Sequence, residues 1–186
     1  MAEALPPDYF QNGCSHYKRR CRLLAPCCNN VYSCHICHDQ NEQHLLNRFK
    51  IKHHLCVKCN EIQQVNTKCS KCGTEFAEYC CVFCYMFDDN TKGQYHCLSC
   101  GICRVGGQQN YFHCKKCNMC LALRIANNHK CVENCSEGDC PLCAEYLHTS
   151  RTELFVPNCG HLIHKICYEK LLTENYPSCL LCKVPY

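Results

Sequence analysis

Residues 140–182 read CPLCAEYLHTSRTELFVPNCGHLIHKICYEKLLTENYPSCLLC, and all of their cysteines and histidines except His148 fall into four close pairs. The pairs, in chain order, are Cys140 with Cys143, Cys159 with His161, His164 with Cys167, and Cys179 with Cys182. Thiolate sulfur and imidazole nitrogen are preferred zinc ligands, and a C-x-x-C turn presents two sulfurs from one tight loop. Because tetrahedral zinc takes four ligands, this stretch predicts two structural zinc sites.

The order of these pairs resembles a RING module with two histidines, whose two sites are cross-braced. The first and third pairs would then hold one ion, and the second and fourth pairs the other. The alternative is two successive zinc knuckles without ligase activity, which the compact Cys-x-His-x-x-His-x-x-Cys centre disfavours. The resemblance implies ubiquitin ligation by positioning a conjugating enzyme that carries ubiquitin, so no covalent nucleophile is expected.

Position in the RING pattern also implies where the conjugating enzyme would bind. The expected contacts are Leu142, Leu171, Leu180 and Lys183. Leu180 stands where proline is usual and Leu171 where many active members have tryptophan, but leucine keeps the apolar area. In the alternative interpretation, these leucines pack the module's own core and Lys183 is an ordinary surface lysine.

Composition agrees with a fold built on metal. The chain has 186 residues, of which 27 are cysteine, 12 are histidine and none is tryptophan. The hydrophobic share of 47% falls to about 32% without cysteine, so a single large apolar core is not expected. Residues 1–11 do not resemble a signal peptide and no segment is long enough to cross a bilayer. A reducing compartment, with free thiols available to zinc, is therefore favoured over a disulfide framework.

The net charge of +4 counts every cysteine as neutral. Eight divalent ions bound by 24 thiolates would change this charge by minus eight, to about −4. This removes the simplest electrostatic argument for nucleic-acid binding. The basic residues 18–22 form a short charge run, which is more often a solvated surface.

A repeated motif occupies the middle of the chain. His96-Cys97-x-x-Cys100-x-x-Cys103 recurs as His113-Cys114-x-x-Cys117-x-x-Cys120, between Cys81-x-x-Cys84 and His129-x-Cys131. Ligands shared between successive turns predict three sites in a spiral of hairpins. The predicted sets are Cys81, Cys84, Cys97 and Cys100; His96, Cys103, Cys114 and Cys117; and His113, Cys120, His129 and Cys131.

Three more sites are predicted upstream. Cys56, Cys59, Cys69 and Cys72 form one four-cysteine site. The preferred division of the first block places Cys14, His16, Cys34 and Cys37 in one set, and Cys27, Cys28, His38 and His44 in the other. The total is about eight zinc ions. The residues left over are Cys21, Cys80, Cys135, His35, His53, His54 and His148; Cys21 could replace a neighbouring ligand or be a small buried hydrophobe.

The whole ligand pattern resembles one family. Cys14-Ser-His16-Tyr17 followed by Cys34-x-x-Cys37-His38 is similar to a CHY zinc finger, and Tyr95-His96-Cys97 with Phe112-His113-Cys114 is similar to a CTCHY finger. The order CHY, CTCHY, RING is that of the RING finger and CHY zinc finger domain-containing ubiquitin ligases. The resemblance implies ligases of the cytoplasm and nucleus that recruit protein substrates, often transcription regulators, through regions outside the RING. The sequence ends at Tyr186, without the cysteine-bearing extension that many animal members carry.

The predicted fold class is a series of small zinc-dominated modules, irregular with short β-hairpins: a zinc-stapled β-spiral followed by a cross-braced RING of ββα type. The expected domains are a tail (1–12), a CHY finger with a four-cysteine knuckle (13–74), a CTCHY finger (75–133), a linker (134–139), a RING (140–183) and a second tail (184–186). Residues 48–57 predict a strand, and 165–174 a helix that ends near Asn175 and Pro177.

Function follows from the same pattern. The leading hypothesis is a RING-type ubiquitin ligase whose upstream modules bind a protein substrate that is sent to the proteasome. A non-catalytic zinc scaffold for protein interaction is the alternative, and nucleic-acid binding is weaker because no finger has the helix-presenting Cys2His2 spacing. No membrane partner is expected. A metallothionein-like zinc store is disfavoured by the ordered ligand pairs.

Overall fold

The computed structural model describes residues 13–186, and the predicted N-terminal tail, 1–12, lies outside them. The chain divides into two compact units, with the boundary between Gln94 and Tyr95. Among the described residues, no helix is both long and apolar enough to cross a membrane. Each unit is small and rich in short strands, in agreement with a series of zinc-binding modules.

The first unit contains a four-stranded antiparallel sheet with the order β2-β1-β3-β4. Its strands are β1 (Cys21–Leu24), β2 (Val31–Tyr32), β3 (His53–Cys56) and β4 (Ile62–Gln64). Helix α1 (His35–Asn41) follows β2, and a 3-10 turn (Arg48–Lys50) precedes β3. A separate hairpin pairs β5 (Tyr79–Cys81) with β6 (Met86–Asp88).

The second unit consists of three two-stranded antiparallel sheets and one helix. The hairpins are β7 (Tyr95–Cys97) with β8 (Ile102–Arg104), and β9 (Tyr111–Cys114) with β10 (Met119–Ala122). A third pair, β11 (Leu154–Phe155) and β12 (Ile163–His164), leads directly into helix α2 (Lys165–Thr173). Short 3-10 turns occupy Gln108–Asn110, Leu123–Ile125 and Cys135–Glu137.

Most of the C-x-x-C turns share one backbone geometry; the Cys34–Cys37 pair, which begins helix α1, does not. The residue after the second cysteine has a positive φ, as at Asn60 (57°), Gly101 (67°) and Ala144 (58°). Its amide donates to the carbonyl oxygen of the first cysteine, at 2.9 Å in each of these three turns. The chain therefore reverses at each of these turns, and both sulfurs are held on the same side of a tight loop.

Apolar packing is divided among three small clusters of buried residues. In the first unit, one cluster contains Phe76 and Phe87, and another contains Leu23 and Ile51. In the second unit, Ile163 and other apolar residues pack with several of the cysteines. No single large core forms in the described chain, as the composition predicts, because the cysteines themselves fill part of each buried cluster.

Candidate metal centres

Three groups of four potential ligands lie in the first unit. Within each group the ligand atoms are all within 4.8 Å of one another. The groups are Cys14, His16, Cys34 and Cys37; Cys27, Cys28, His38 and His44; and Cys56, Cys59, Cys69 and Cys72. They have the same membership as the three sets that ligand spacing predicts for this part of the chain.

The distances inside these groups fit tetrahedral zinc. With zinc–sulfur bonds of about 2.3 Å and zinc–nitrogen bonds of about 2.0 Å, two sulfurs lie about 3.8 Å apart and a sulfur and a nitrogen about 3.6 Å apart. The Cys56–Cys72 and Cys59–Cys69 sulfur separations are 3.7 and 3.5 Å. None of the cysteines, all of which lie within residues 13–186, forms a disulfide, and these separations far exceed the roughly 2.05 Å of a disulfide bond. The donor set therefore supports zinc binding.

The group at the start of helix α1 shows how local structure prepares a thiolate. Cys34 is the N-cap of the helix, and its Sγ accepts the amide of Cys37 at 3.3 Å. The Nδ1 atom of His16 lies 3.5 Å from the sulfur of each of these cysteines. A hydrogen bond from the Cys34 thiol lowers the pKa of Cys14 to about 4. Zinc binds thiolate, so a low pKa favours metal binding at neutral pH.

A carboxylate orients the histidine of the neighbouring group. His38 is fully buried, with Nε2 3.2 Å from the sulfur of Cys27 and Nδ1 2.9 Å from Oδ1 of Asp39. The same Asp39 oxygen accepts the amide of Leu46 at 2.8 Å. The Nδ1–H therefore donates to the carboxylate, which leaves Nε2 free to bind a metal. Ligand spacing does not reveal the role of Asp39, although carboxylates next to ligand histidines are common.

In the second unit, the structure corrects the predicted division of the repeated motif. Cys97 and Cys100 group with His113 and Cys120. The sulfur of Cys100 is 3.3 Å from Nδ1 of His113 and 3.6 Å from the sulfur of Cys120. The predicted set of Cys81, Cys84, Cys97 and Cys100 is therefore wrong, as is the set of His113, Cys120, His129 and Cys131.

The next repeat follows the same arrangement. The sulfur of Cys114 is 3.7 Å from that of Cys131 and 3.3 Å from Nε2 of His129, and it is hydrogen-bonded to the Cys117 thiol. The His129 Nδ1–H donates to the carbonyl oxygen of Ile125 at 3.0 Å, so Nε2 is the ligand atom. The predicted set that joins Cys114 and Cys117 to His96 and Cys103 is also wrong.

Strand register explains why the predicted ligand sets of the repeated motif are wrong. The antiparallel hairpins place His96 opposite Cys103 and His113 opposite Cys120. Residues directly opposite each other lie on the same face of a hairpin, so each hairpin presents one histidine and one cysteine together. The sulfur of Cys103 lies 3.8 Å from Nδ1 of His96. Cys81 and Cys84 form a separate turn in which the Cys84 amide donates to the Cys81 sulfur at 3.4 Å.

The pairs after residue 139 alternate between two sites. Nδ1 of His164 is 3.3 Å from the sulfur of Cys143, and the Cys167 thiol is hydrogen-bonded to those of Cys140 and Cys143. The Nε2–H of His164 donates to the hydroxyl of Ser150 at 2.8 Å, so Nδ1 is the ligand atom. These contacts join the first pair of ligands to the third.

The second and fourth pairs also come together. Nδ1 of His161 is 3.8 Å from the sulfur of Cys179, and the Cys159 thiol is hydrogen-bonded to those of Cys179 and Cys182. The two sets of ligands therefore interleave along the chain.

The four residues expected at a protein-binding surface differ in exposure. Leu171 is only 3% exposed and packs in the hydrophobic cluster, so it lies beneath the surface and not on it. Leu142 and Leu180 are half-buried against the same cluster. Lys183 is exposed, and its ammonium group donates to the Leu180 carbonyl oxygen and the Tyr176 hydroxyl, each at 3.1 Å. The interpretation of Leu171 as a core residue is the one that fits.

The structure gives Cys21 and His148, two of the residues left over, clear structural roles. Cys21 is 2% exposed, and burial raises the pKa of its thiol to about 12, as expected for a small buried hydrophobe. His148 lies 3.0 Å, through Nε2, from the carbonyl oxygen of Cys100, and Nδ1 lies 3.3 Å from Ser136 Oγ. His148 thus ties the segment after Cys143 to a metal-binding turn, a role that no spacing rule indicates.

Comparisons with known proteins agree with this zinc-binding architecture. Residues 14–79 match the CHY zinc finger family. The chain is 42% identical over 176 residues to the E3 ubiquitin-protein ligase SRFP1 of Oryza sativa subsp. japonica, a match that covers 93% of this chain and 68% of that protein. The E3 ubiquitin-protein ligase RZFP34 of Arabidopsis thaliana is 40% identical over 180 residues, which cover 91% of this chain and 62% of the relative.

A third relative differs mainly in length. A BRUTUS-like zinc finger protein of Arabidopsis thaliana is 43% identical over 174 residues, which make up 91% of this chain but only 14% of the relative. The chain thus spans roughly two thirds of SRFP1 and RZFP34 and a small part of the longer protein. From the CHY match and the identity to SRFP1 over most of both chains, this chain belongs to the RING finger and CHY zinc finger domain-containing family.

Proposed function

We propose that this protein is a RING-type ubiquitin ligase. The observation that carries the proposal is the interleaving of the ligand pairs in residues 140–182, which join first to third and second to fourth. That arrangement brings the loops that begin at Cys140 and Cys179 and helix α2 into one small module, as in a cross-braced RING. The similarity to SRFP1 and RZFP34, which are named ubiquitin-protein ligases, supports the same activity.

Eight zinc ions are proposed to hold the protein together, six upstream of residue 140 and two after it. Seven of them would occupy the ligand sets described above. The eighth would use cysteine and histidine ligands that none of those seven sets contains. When bound, zinc supplies crosslinks between loops that have little other means of staying folded.

A conjugating enzyme is proposed to bind across the two metal-binding loops of the C-terminal module. Leu142 and Leu180 are half-buried there, and Leu181 is 61% exposed. Leu171 would support these side chains from below, and Lys183 would contact the bound ubiquitin. An apolar surface rimmed by one cation is suited to a transient protein partner.

Catalysis on this surface would be by positioning. A substrate lysine amine attacks the thioester carbonyl between ubiquitin and the conjugating enzyme, an isopeptide bond forms, and the enzyme's thiol leaves. The ligase holds the thioester and the amine close together in a reactive orientation, which lowers the entropic part of the barrier. The upstream modules would recruit the substrate, with transcription regulators as one class, for proteasomal degradation in the cytoplasm and nucleus.

Autoubiquitination in a purified system tests the proposal. The zinc-loaded protein should form ubiquitin chains with at least one enzyme from a broad panel of conjugating enzymes. Leu142→Ala should reduce chain formation at least about tenfold, because a small apolar interface loses one of its few anchors. Native mass spectrometry should still count eight zinc ions in that variant.

Leu172→Ala is a suitable control, because Leu172 is 41% exposed on the same helix as Leu171 but is not among the proposed contacts. It should keep the wild-type rate. A fully zinc-loaded protein that neither forms chains nor binds any conjugating enzyme would instead be a protein-binding scaffold.

A further inference from the structure

A cleft of about 500 Å³ opens on the first unit, in the CHY module. The end of β1 and the turn after it contribute Leu24 and Pro26. The 3-10 turn before β3 contributes Phe49 and Lys50, and Lys52 lies in the segment that leads into the strand. The volume is in the range of ordinary ligand-binding clefts, and the lining is part apolar and part cationic.

Phe49 is held in place although its ring is 55% exposed. Its amide donates to the Asn47 side-chain oxygen at 3.1 Å, and the neighbouring Ile51 is 1% exposed and anchors the turn. The Arg48 guanidinium lies 5.0 Å from the centre of the Phe49 ring. A large apolar ring that is exposed but fixed loses little conformational entropy when a partner covers it.

The turn after β1, which also lines the cleft, is held by two backbone hydrogen bonds. The Ala25 amide donates to the Asn30 carbonyl oxygen at 2.9 Å, and the Asn29 amide to the Ala25 carbonyl oxygen at 2.8 Å. Pro26 lies within this closed loop and its ring is exposed at the cleft. Both apolar walls are therefore preorganised for an incoming apolar side chain.

The charge of the cleft is positive and unbalanced. Lys50 and Lys52 are exposed, and none of the residues that line the cleft is acidic. Within residues 13–186, no ion pair involves either lysine. With eight zinc ions bound, the net charge of the protein would be about −4, so these cations do not reflect an overall excess of positive charge.

We propose that this cleft binds an acidic segment of a partner protein, with one apolar side chain packed between Leu24, Pro26 and Phe49, and with carboxylates next to Lys50 and Lys52. The apolar walls favour a peptide side chain, and the negative net charge disfavours a polyanion such as RNA. The binding of an acidic segment is argued from the cleft alone. If the partner is a ubiquitination substrate, the cleft is a substrate-docking site, and this assignment rests on the proposed ligase function.

A fluorescence-anisotropy titration of the zinc-loaded full chain tests the proposal. The probe is a labelled twelve-residue peptide with a central Leu-Phe pair between two runs of Asp and Glu. Saturable binding is expected, and it should weaken as salt is raised. The double variant Lys50→Glu with Lys52→Glu should weaken binding about tenfold or more, and Phe49→Ala by a similar factor.

The matched control is Lys58→Glu with Lys68→Glu, two exposed lysines of the same unit outside the cleft. It carries the same charge change and should bind the peptide within about twofold of the wild type. Zinc content and circular dichroism confirm that each variant is folded.

Three results would overturn the proposal. These are no saturable binding, equal weakening by both charge reversals, or equal binding of a peptide in which Ser and Gly replace the acidic residues. Tighter binding of a single-stranded oligouridylate through the same lysines would identify a nucleic-acid site instead. Autoubiquitination by the Lys50→Glu, Lys52→Glu variant should stay at the wild-type rate, so loss of peptide binding and loss of ligase activity are separable.

Discussion

His54 is buried in the first unit, 2% exposed, with neither ring nitrogen hydrogen-bonded. Its ring lies edge-on to Phe76 with centroids 4.4 Å apart. Burial, with a further contribution from the positive charge of Arg19, lowers the pKa of His54 to about 4. The residue therefore acts as an aromatic core side chain. It destabilises the folded state only when the solution is acidic enough to protonate its buried ring.

The sign of the pH effect follows from linkage. The unfolded chain protonates this histidine near its ordinary pKa of about 6.5, and the folded state resists until about pH 4. The contribution of neutral His54 to stability is thus complete above pH 6.5 and is lost as pH falls to 4. His54→Phe should flatten the fall in the free energy of unfolding across this window, by an amount on the order of 3 kcal/mol.

Urea denaturation of zinc-loaded protein between pH 7 and 4, with zinc content measured at each point, checks this expectation. His53→Phe is the control because His53 is exposed and should leave the pH dependence unchanged. Equal pH dependence of wild type and His54→Phe would mean that zinc ligands alone set the acid limit.

Cys21 gives a second prediction at the level of one residue. It lies opposite Cys56 in the sheet, yet it does not belong to the Cys56 group of ligands. Cys21→Ala should keep every zinc ion and cost on the order of 1 kcal/mol of stability. Cys56→Ala should lose one ion. Native mass spectrometry separates the two outcomes, and a zinc ion lost from Cys21→Ala would make Cys21 a ligand.

At the scale of structural elements, the metal-binding turns share a strained residue. Ala144 has φ of 58°, the left-handed conformation that Gly73 (72°) and Gly101 (67°) adopt in equivalent turns. A side chain costs roughly 1–2 kcal/mol in this conformation, partly offset by the greater unfolded-state entropy of glycine. Ala144→Gly should therefore raise the free energy of unfolding by about 0.5 kcal/mol or more.

A glycine placed in ordinary backbone provides the contrast for that experiment. Ala122 has φ of −62°, and Ala122→Gly should lower stability by about 0.5–1 kcal/mol. Chemical denaturation of both variants measures the two changes. A loss of stability in Ala144→Gly as large as that in Ala122→Gly would show that the left-handed turn is not strained.

Helix α2 contains one buried leucine and one exposed leucine. Leu171 is 3% exposed and Leu172 is 41% exposed. Leu171→Ala should cost about 2–5 kcal/mol, because it empties part of a packed cluster, whereas Leu172→Ala should cost less than about 1 kcal/mol. Thermal denaturation of the two variants checks the difference, and similar costs would mean that the cluster around Leu171 is not tightly packed.

These elements also show what sequence can and cannot predict. The helix expected over 165–174 is found at Lys165–Thr173, and Asn175 has the left-handed φ of a helix end. The strand expected over 48–57 is confined to His53–Cys56 because Asn47 caps a 3-10 turn before it. Local signals such as caps and apolar periodicity explain the helix, whereas a competing cap shortened the strand.

The sets of metal ligands were likewise predictable from sequence in one part of the chain and not in another. Spacing along the chain was sufficient in the first block, where Cys34 caps α1 and Cys37 lies in its first turn. It failed in the repeated motif because strand register, which spacing does not encode, decides that His113 stands opposite Cys120. The sequence also did not decide whether Leu171 is buried, because a leucine on a helix can face a partner or the core.

At the scale of the whole molecule, metal has to provide what the apolar clusters cannot. The buried clusters are small and include ligand cysteines such as Cys69, Cys114 and Cys167. Without an ion, each site would hold several thiols with strongly interacting charges, as where the Cys120 thiol lowers the pKa of Cys100 to about 4. Removing zinc should therefore unfold the chain and not simply empty its sites.

Chelation measures this dependence directly. A strong chelator at pH 7 should abolish the native circular dichroism signal and make the 27 cysteines react rapidly with a thiol reagent. Zinc added back under reducing conditions should restore the signal, because binding free energy and folding free energy are coupled. A reducing agent without chelator should change nothing, since none of the cysteines, all within the described residues, forms a disulfide. Persistence of the native signal after complete zinc removal would show that apolar packing alone holds the fold, and unfolding by the reductant alone would point to disulfides.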